Sequence, residues 1–295
     1  MALNLNQLRV FAAVADQGGF SRAAAVLRLS QPAVSKSVRE LERQVKLPLL
    51  ERAGRASRLT PAGRALATRA RELFSVEASA EEELRALRGL ESGSLRVGAS
   101  TTIATYVLPS ILARFREAHP GVALRVVSAN TRAIARQLLE RRLDVALVEG
   151  PVAHERLDVI AWRDDELVLI APWGHPLTRR RTVRAPDLAA VRLIVREPGS
   201  GTRDVAERAL AEQGVHLPVA LQLGSTEAIK QAVAAGLGLA IVSRAAAADQ
   251  LALGRIATVR LRGVVLCRAF TELRLRGRDP SAPTRVFVNL MRAPL

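Results

Sequence analysis

The sequence predicts an α/β protein with a small helical N-terminal domain, one long helix and a C-terminal domain of two α/β lobes. Two short helical patterns lie close together in the first sixty residues, and a single helical pattern runs on from Pro61. Strand and helix patterns then alternate in two similar series, which is typical of parallel α/β sheets. We expect the domain boundaries at 1–60, 61–92 and 93–295.

Composition and charge limit the class of protein. The chain has 295 residues, a formal net charge of +16 and one cysteine, Cys267, so it forms no internal disulfide. No apolar run reaches the about 18 residues that span a bilayer, and the N-terminus lacks the order of a secretory signal. We expect a cytoplasmic protein with no membrane contact. The charge favours a nucleic-acid partner, although only three of the 44 basic residues are lysines, and an arginine excess of this kind also reflects a GC-rich genome.

The two N-terminal helical patterns suggest a helix-turn-helix. Ser21 is expected to cap the first helix and Ser30 the second, with Pro32 in its first turn. Only a tight turn fits between the two helices. In the second helix the apolar side chains fall at helical spacing and predict one buried stripe, formed by Val34, Val38, Leu41 and Val45.

The opposite face of the second helix is basic. Arginine and lysine favour phosphates, and Gln, Ser and Lys reach base edges in the major groove. The segment after it carries arginines among small residues and suits a wing, a hairpin that lies along DNA. The alternative is a solvated face. The predicted DNA-binding residues are Ser21, Arg22, Ser30, Gln31, Pro32, Ser35, Lys36, Arg39, Arg43, Arg52 and Arg55.

The stretch from "LRVFAAVADQGGFSRAAAVLRLSQPAVSKSVRELERQ" to "RLTPAG" resembles the winged helix-turn-helix of LysR-type transcriptional regulators. The resemblance covers residues 3–63 and implies double-stranded DNA as a partner. Two positions depart from the family pattern: Leu50 stands where Phe is frequent, and Lys36 stands where Arg is frequent. The lysine keeps the charge but loses the bidentate fork of the guanidinium.

The long helix from Pro61 has an apolar stripe at heptad-like spacing, interrupted at Glu77. The stripe consists of Leu66, Ala70, Leu73, Ala80, Leu84 and Leu87. It favours pairing with another helix, whereas the alternative is packing on its own domain. The resemblance implies a linker helix that forms a homodimer, and a homotetramer of such dimers.

The remaining residues predict two lobes. Lobe I is expected at about 93–163 and 269–295, and lobe II at about 164–268. Two strand-like runs within 157–172 carry the chain into lobe II, and 264–278 carries it back, before a helix that closes lobe I. Two lobes joined by two crossovers have the plan of the type 2 periplasmic binding proteins, and the resemblance to LysR-type regulators, whose effector domain has the same plan, continues more loosely to the C-terminus.

Strand-to-helix loops rich in hydroxyl and amide groups predict a ligand cleft. Ligands of open α/β sheets bind beyond the carboxyl ends of the strands, and helix N-termini favour anions. The alternative is ordinary helix capping. The resemblance implies that an effector binds between the lobes. "REPGSGTR" and "GSTEAIKQAVAAGLGLAIVS" are most similar to members that govern sulfur assimilation or carbon fixation, which points to an inorganic oxyanion, a carboxylate or a phosphorylated metabolite. The predicted effector-binding residues are Ser100, Thr101, Thr102, Asn130, Thr131, Glu149, Ser200, Gly201, Thr202, Ser225 and Thr226.

Nothing in the sequence favours an enzyme. The glycine loop lacks the lysine of a P-loop and the full GxGxxG of a dinucleotide fold, and the four histidines have no metal-ligand spacing. We expect no catalytic residue, no metal and no cofactor, and we expect Cys267, within an apolar run, to be a buried and inert thiol. The resemblance, together with these loops, implies a LysR-type DNA-binding regulator modulated by a small anionic metabolite. The alternative is a constitutive or architectural DNA-binding protein with a vestigial sensor domain.

Overall fold

The computed structural model divides into two compact units, Met1–Arg88 (unit 1) and Gly89–Leu295 (unit 2). It describes residues 3–53, 56–87, 93–215 and 219–293. No helix in these ranges is long and apolar enough to cross a membrane.

Unit 1 is a helical domain with one β-hairpin. Its elements are α1 (Leu5–Gln17), α2 (Phe20–Leu27), α3 (Gln31–Val45), β1 (Leu50–Ala53), β2 (Ala56–Leu59) and α4 (Pro61–Leu87). The strands β1 and β2 pair antiparallel. Val34, Val38 and Leu41 of α3 are buried against Phe11 of α1, as the spacing predicts. The helix-turn-helix and the hairpin form the predicted winged fold.

The two helix starts differ in how they are capped. The Ser30 hydroxyl accepts a hydrogen bond from the Ala33 N–H at 3.3 Å, so the predicted cap of α3 is confirmed. The predicted cap of α2 is wrong, because the N-cap is Gly19, which has no side chain to accept a bond, and Ser21 lies inside the helix. Gly18 ends α1 in the left-handed region at φ 64°, and this sharp turn lets α2 begin at Phe20, two residues before the start that a cap at Ser21 would give.

The helix α4 packs on its own domain only in its first half. Ala67 and Ala70 are buried in the core of unit 1, so Ala70 is not available to another helix. Further along, Leu73, Val76 and Leu84 are exposed. The helix starts close to the hairpin, and a Cβ on Gly63 would lie 2.0 Å from the Leu49 carbonyl oxygen, so only glycine fits there.

Unit 2 has two lobes connected by two strands. Lobe I begins with β3 (Gly93–Ser100), α5 (Thr101–Tyr106), α6 (Leu108–Ala118), β4 (Val122–Ala129), α7 (Thr131–Leu139) and β5 (Val145–Glu149). The strand β6 (Leu157–Pro172) leads into lobe II, which contains β7 (Val183–Arg184), β8 (Leu193–Arg196), α8 (Gly201–Ala211), β9 (Val219–Leu223), α9 (Thr226–Ala234), β10 (Ala240–Ser243), α10 (Arg244–Ala252), β11 (Ile256–Val259) and β12 (Leu261–Arg262). The chain returns through β13 (Cys267–Leu275) and closes lobe I with α11 (Ala282–Arg292).

The sheets follow the predicted α/β plan. In lobe I, β3 pairs parallel with β4 and with β5, and in lobe II β8 pairs parallel with β9. The closing helix α11 buries Phe287 in the core of lobe I, as expected. The helix predicted after β3 is two helices, because Pro109 at the start of α6 cannot donate a backbone hydrogen bond within a continuous helix.

The first crossover also differs from its prediction. Residues 157–172 form one strand rather than two, because β6 pairs with β13 in its first half and with β10 and β11 in its second. The charged residues that suggested a break lie where the strand passes from one lobe to the other.

The second crossover corrects the expectation for Cys267, which is exposed. It begins β13, and successive side chains of a strand point to opposite faces. The next residue, Arg268, takes the inward position and is 5% exposed.

Candidate functional site

The exposed face of α3 is the candidate DNA-binding surface. Gln31, Pro32, Lys36, Arg39 and Arg43 are exposed along it, and Ser35 is half-buried. The Arg39 Nε donates to the Ser35 carbonyl oxygen at 3.3 Å, which holds the guanidinium along the helix. The face therefore presents polar and basic groups on one side of a helix whose other side is core.

The other predicted DNA contacts lie around this helix. Ser21 and Arg22 are exposed on α2, and the Arg22 Nη2 donates to the Gly18 carbonyl oxygen at 3.0 Å. The Ser30 hydroxyl serves as the cap of α3. In the wing, the backbone of Arg52 lies in β1, but its side chain and the whole of Arg55 lie outside the described residues.

In unit 2, the candidate ligand site is the cleft where the carboxyl ends of β3 and β5 face the start of α8. Glu149 is the last residue of β5, and it is 1% exposed. Its carboxylate accepts hydrogen bonds from the Ser100 hydroxyl and, at 3.0 Å, from the Thr102 hydroxyl. The Thr131 hydroxyl donates to the main-chain oxygen of Glu149 at 2.8 Å. Three of the predicted hydroxyls are thus brought together around Glu149, two on its carboxylate and one on its main-chain oxygen.

Arg268 connects this cluster to lobe II. Its Nη1 donates to the Thr202 hydroxyl at 2.8 Å and lies 3.8 Å from the nearer oxygen of Glu149. Its Nε donates to Asp165 at 2.7 Å, and Asp165 also accepts from the Ser243 hydroxyl at 2.6 Å. One buried guanidinium therefore lies between two buried carboxylates. Sequence reasoning missed Arg268, Asp165 and Ser243, although an arginine within the apolar run "VVLCRAF" was an available signal.

Two polar atoms at this cluster have no partner among the described residues. The Arg268 Nη2 and the Thr101 hydroxyl are buried and make no hydrogen bond to any residue that the structure describes. Buried donors in this position destabilise a protein unless a ligand or water accepts from them.

The lobe II wall has a second arginine that sequence reasoning missed. The Arg196 Nη1 donates to the Thr226 hydroxyl at 2.8 Å, and its other guanidinium nitrogens bind Glu197. Ser200 is buried and makes no capping bond at the start of α8. Two other predicted contacts cap helices: the Asn130 side chain caps α7, and the Ser225 hydroxyl caps α9.

Glycine allows the backbones of the lobes to approach at this cleft. A Cβ on Gly201 would lie 1.8 Å from the Glu149 carbonyl oxygen, so α8 begins directly against the end of β5. Gly150 has φ 82°, and a Cβ on it would lie 2.7 Å from the Gly201 Cα. One turn into α8, burial raises the pKa of Asp204.

The cleft has the features of a binding site. It offers hydroxyls, guanidinium groups and close backbone, all of which can hold a ligand. Among the described residues no group of three or more His, Cys, Asp or Glu side chains could hold a metal ion. A helix-turn-helix in the same chain as a two-lobed binding domain is typical of a transcription regulator with a ligand-binding domain.

Comparison with known proteins identifies the family. Residues 5–64 match the family model "Bacterial regulatory helix-turn-helix protein, lysR family", and residues 88–295 match "LysR substrate binding domain". The chain belongs to the LysR family. It is therefore a DNA-binding transcriptional regulator with an effector-binding domain, and not an enzyme.

The curated relatives are similar over nearly their full length. The "RuBisCO operon transcriptional regulator" of Allochromatium vinosum is 37% identical over 287 residues, which is 97% of this chain and 95% of the relative. The protein of the same name from Acidithiobacillus ferrooxidans is 36% identical over 287 residues, with coverages of 97% and 93%.

Two solved structures share the fold. The regulatory domain of Synechocystis PCC6803 CcmR in complex with 2-PG is 28% identical, with a TM-score of 0.64, and the match covers 68% of this chain and 96% of that one. Full-length CbnR complexed with its target DNA is 24% identical, with a TM-score of 0.69 and coverages of 98% and 99%. Both show the predicted fold class.

Proposed function

We propose that this regulator controls carbon-fixation genes and responds to a small anionic metabolite bound between its lobes. The names of the two relatives support the target genes, and the 2-PG complex of CcmR supports the class of ligand. Carbon-fixation genes as the target and a small anionic metabolite as the effector are both proposed for this chain.

The observation that carries the ligand assignment is the pair of unpartnered donors, the Thr101 hydroxyl and the Arg268 Nη2. A ligand that satisfies both must present hydrogen-bond acceptors, and an oxygen of a carboxylate, phosphate or sulfate accepts best from a guanidinium. We place the anionic group of the effector there.

The Glu149 carboxylate determines how the Ser100 and Thr102 hydroxyls take part in effector binding. Ser100 and Thr102 already donate to it, so they bind an anionic effector only after Glu149 has been displaced. Because two like charges in a buried site repel, entry of the anion and movement of Glu149 are coupled. Effector binding then biases the protein between two arrangements.

The remaining parts of the proposal concern DNA and assembly. We propose that α3 and the wing bind double-stranded operator DNA and that the protein acts in the cytoplasm. On α3, Lys36, Arg39 and Arg43 contact phosphates or bases of the operator. The exposed apolar face of the second half of α4 forms the homodimer, and two dimers form a tetramer.

Thermal shift on the full-length protein tests the ligand assignment, with 2-PG, inorganic phosphate and sulfate as probes. We expect at least one probe to stabilise the wild type, since a ligand that binds only the folded state raises its stability. Thr101→Val removes a hydroxyl that has no hydrogen-bond partner among the described residues, and it should weaken this effect. Thr105→Val, on the exposed side of the same helix, is the matched control. An equal response of both variants would contradict the assignment of Thr101.

One observation favours the constitutive alternative. The hydroxyls of Ser100 and Thr102 are fully engaged by Glu149 and do not require a ligand. If no probe shifts the unfolding temperature of the wild type, a regulator that binds DNA without an effector is the better account.

A further inference from the structure

A second contact between the lobes lies one helical turn from the cleft. It joins α5 of lobe I to α9 and α10 of lobe II. The Tyr106 hydroxyl donates to the Glu227 carboxylate at 2.9 Å. The Lys230 Nζ lies 4.9 Å from the centre of the Tyr106 ring.

Lys230 is completely buried, which is unusual for a lysine. Its ammonium group binds Asp249 at 2.7 Å and Glu227 at 2.9 Å, yet these two side chains are 51% and 49% exposed. Lobe I contributes the Tyr106 ring as one wall of this site. An ammonium over an aromatic face is held by a cation–π interaction, so the ring replaces part of the water that the lysine has lost.

The pKa shifts of Lys230 and Tyr106 agree with this geometry. Burial by itself would lower the pKa of Lys230, but hydrogen bonds with Asp249, Glu227 and Tyr106 outweigh burial and hold the pKa above its usual range. Burial raises the pKa of Tyr106. Both groups therefore keep their protons at neutral pH.

The helices α5 and α9 also contribute residues to the cleft. Thr102 precedes Tyr106 by four residues on α5, and Thr226 precedes Lys230 by four residues on α9. A movement of α5 against α9 at the cleft is therefore transmitted directly to the contact between Tyr106 and the Glu227–Lys230 pair. Because the backbone passes between the lobes along the strands β6 and β13, hinge movement of one lobe against the other is the expected freedom.

We propose that Tyr106 is a positioning residue that holds the two lobes in register, and that the burial of Lys230 depends on their closure. When the lobes separate, the ring leaves the ammonium group and Lys230 becomes accessible to water and to reagents. The effector-dependent part of this inference rests on the proposed function, whereas the dependence of Lys230 burial on Tyr106 does not.

The chain has only three lysines, Lys36, Lys46 and Lys230, so an amine-reactive reagent can measure this closure. The full-length protein is treated with an acylating reagent, and labelling of each lysine is followed by peptide mass spectrometry. Lys46 is exposed and lies in the other unit, so it serves as the internal standard. In the wild type we expect Lys230 to react much more slowly than Lys46.

Tyr106→Ala should increase the labelling rate of Lys230 by about threefold to thirtyfold, the range that loss of a cation–π contact allows, with no change at Lys46. Tyr106→Phe keeps the ring and should give a smaller increase, which guards against simple misfolding of the alanine variant. Thr105→Ala, at the exposed neighbouring position, should behave as the wild type. An unchanged Lys230 rate in Tyr106→Ala would overturn the inference.

A second arm separates this inference from the proposed function. Adding 2-PG should change the Lys230 rate in the wild type and have less effect in Tyr106→Ala. If Tyr106→Ala exposes Lys230 but no tested metabolite changes its rate, the positioning role stands and the effector assignment fails. If 2-PG stabilises the protein while Lys230 labelling stays independent of Tyr106, the effector assignment stands and the positioning role is refuted.

Discussion

Arg268 and Thr202 join the two lobes through a hydrogen bond of 2.8 Å from the guanidinium to the hydroxyl. Arg268 lies on the second crossover, and Thr202 lies in the first turn of α8. The bond brings the charged centre of the cleft to the lobe II wall. Because the same guanidinium binds Asp165 and approaches Glu149, a ligand that attracts Arg268 acts on both lobes at once.

The first prediction concerns Glu149, whose carboxylate accepts hydrogen bonds from two hydroxyls of the cleft. Glu149→Gln keeps the volume and removes the charge that repels an anion. We expect the affinity for 2-PG or sulfate to rise about tenfold. Hydrogen bonds to charged groups contribute about 1.5–3 kcal/mol, and without the Glu149 charge the Ser100 and Thr102 hydroxyls can make such bonds to the ligand. Isothermal titration of the full-length protein measures this, with the exposed Glu155→Gln as control. Weaker binding by Glu149→Gln would instead mean that the carboxylate accepts a hydrogen bond from the effector.

The second prediction concerns the exposed face of α3. The double variant Lys36→Ala, Arg39→Ala should abolish specific operator binding in a mobility-shift titration. Each lost phosphate contact should also reduce the salt dependence of the remaining affinity by about 0.9 in the slope of log K against log salt concentration. Lys46→Asn removes one charge beyond the end of the same helix and tolerates the left-handed backbone there, so it is the control. Unchanged affinity of the double variant would rule out α3 as the DNA-binding helix.

The third prediction concerns the cap of α3. Ser30→Ala removes the acceptor of the Ala33 N–H and should lower the stability of unit 1 by about 1 kcal/mol, the usual value for a lost N-cap. The Asn side chain of Ser30→Asn can accept the same hydrogen bond, so this variant should keep the stability of the wild type. Hydrogen exchange at the Ala33 amide reports the local effect, and equal exchange in the serine and alanine proteins would show that the cap contributes nothing.

The fourth prediction concerns the exposed apolar face of α4. Leu73, Val76, Ala80 and Leu84 follow one another at intervals of three and four residues, so they share one side of the helix, and all are exposed. Val76→Glu combined with Leu84→Glu should shift the oligomer toward monomer in sedimentation velocity. Ala78→Glu adds a charge on the opposite side of the helix and should leave assembly unchanged. An oligomer insensitive to the double variant would place the interface elsewhere.

Features that depend on neighbours along the chain could be predicted from the sequence. The buried stripe of α3 and its Ser30 cap involve residues within a few turns of one another. The exposure of Cys267 could not be predicted in this way, because it depends on the phase of β13. That phase is set by Arg268, whose partner Asp165 is 103 residues away in the chain.

The candidate cleft shows the same limit. The sequence identified the hydroxyl-bearing loops, because serine and threonine at helix starts are visible in a linear pattern. It did not show that Ser100 and Thr102 donate to Glu149, nor that Asn130 and Ser225 serve as caps while Ser200 makes no capping bond. Which hydroxyl caps a helix and which faces the cleft depends on side-chain direction, and this is decided by packing.

By itself, the sequence determined the fold class and the basic face of α3, because hydrophobic periodicity and caps act over short stretches of chain, and its N-terminal motif carried the resemblance to the family. Only the tertiary structure decided the charged centre of the cleft and the contact of Tyr106 with Glu227 and Lys230. Buried charges are stable only when opposite charges and hydrogen-bond partners surround them, and those partners come from distant segments that meet only in the folded protein.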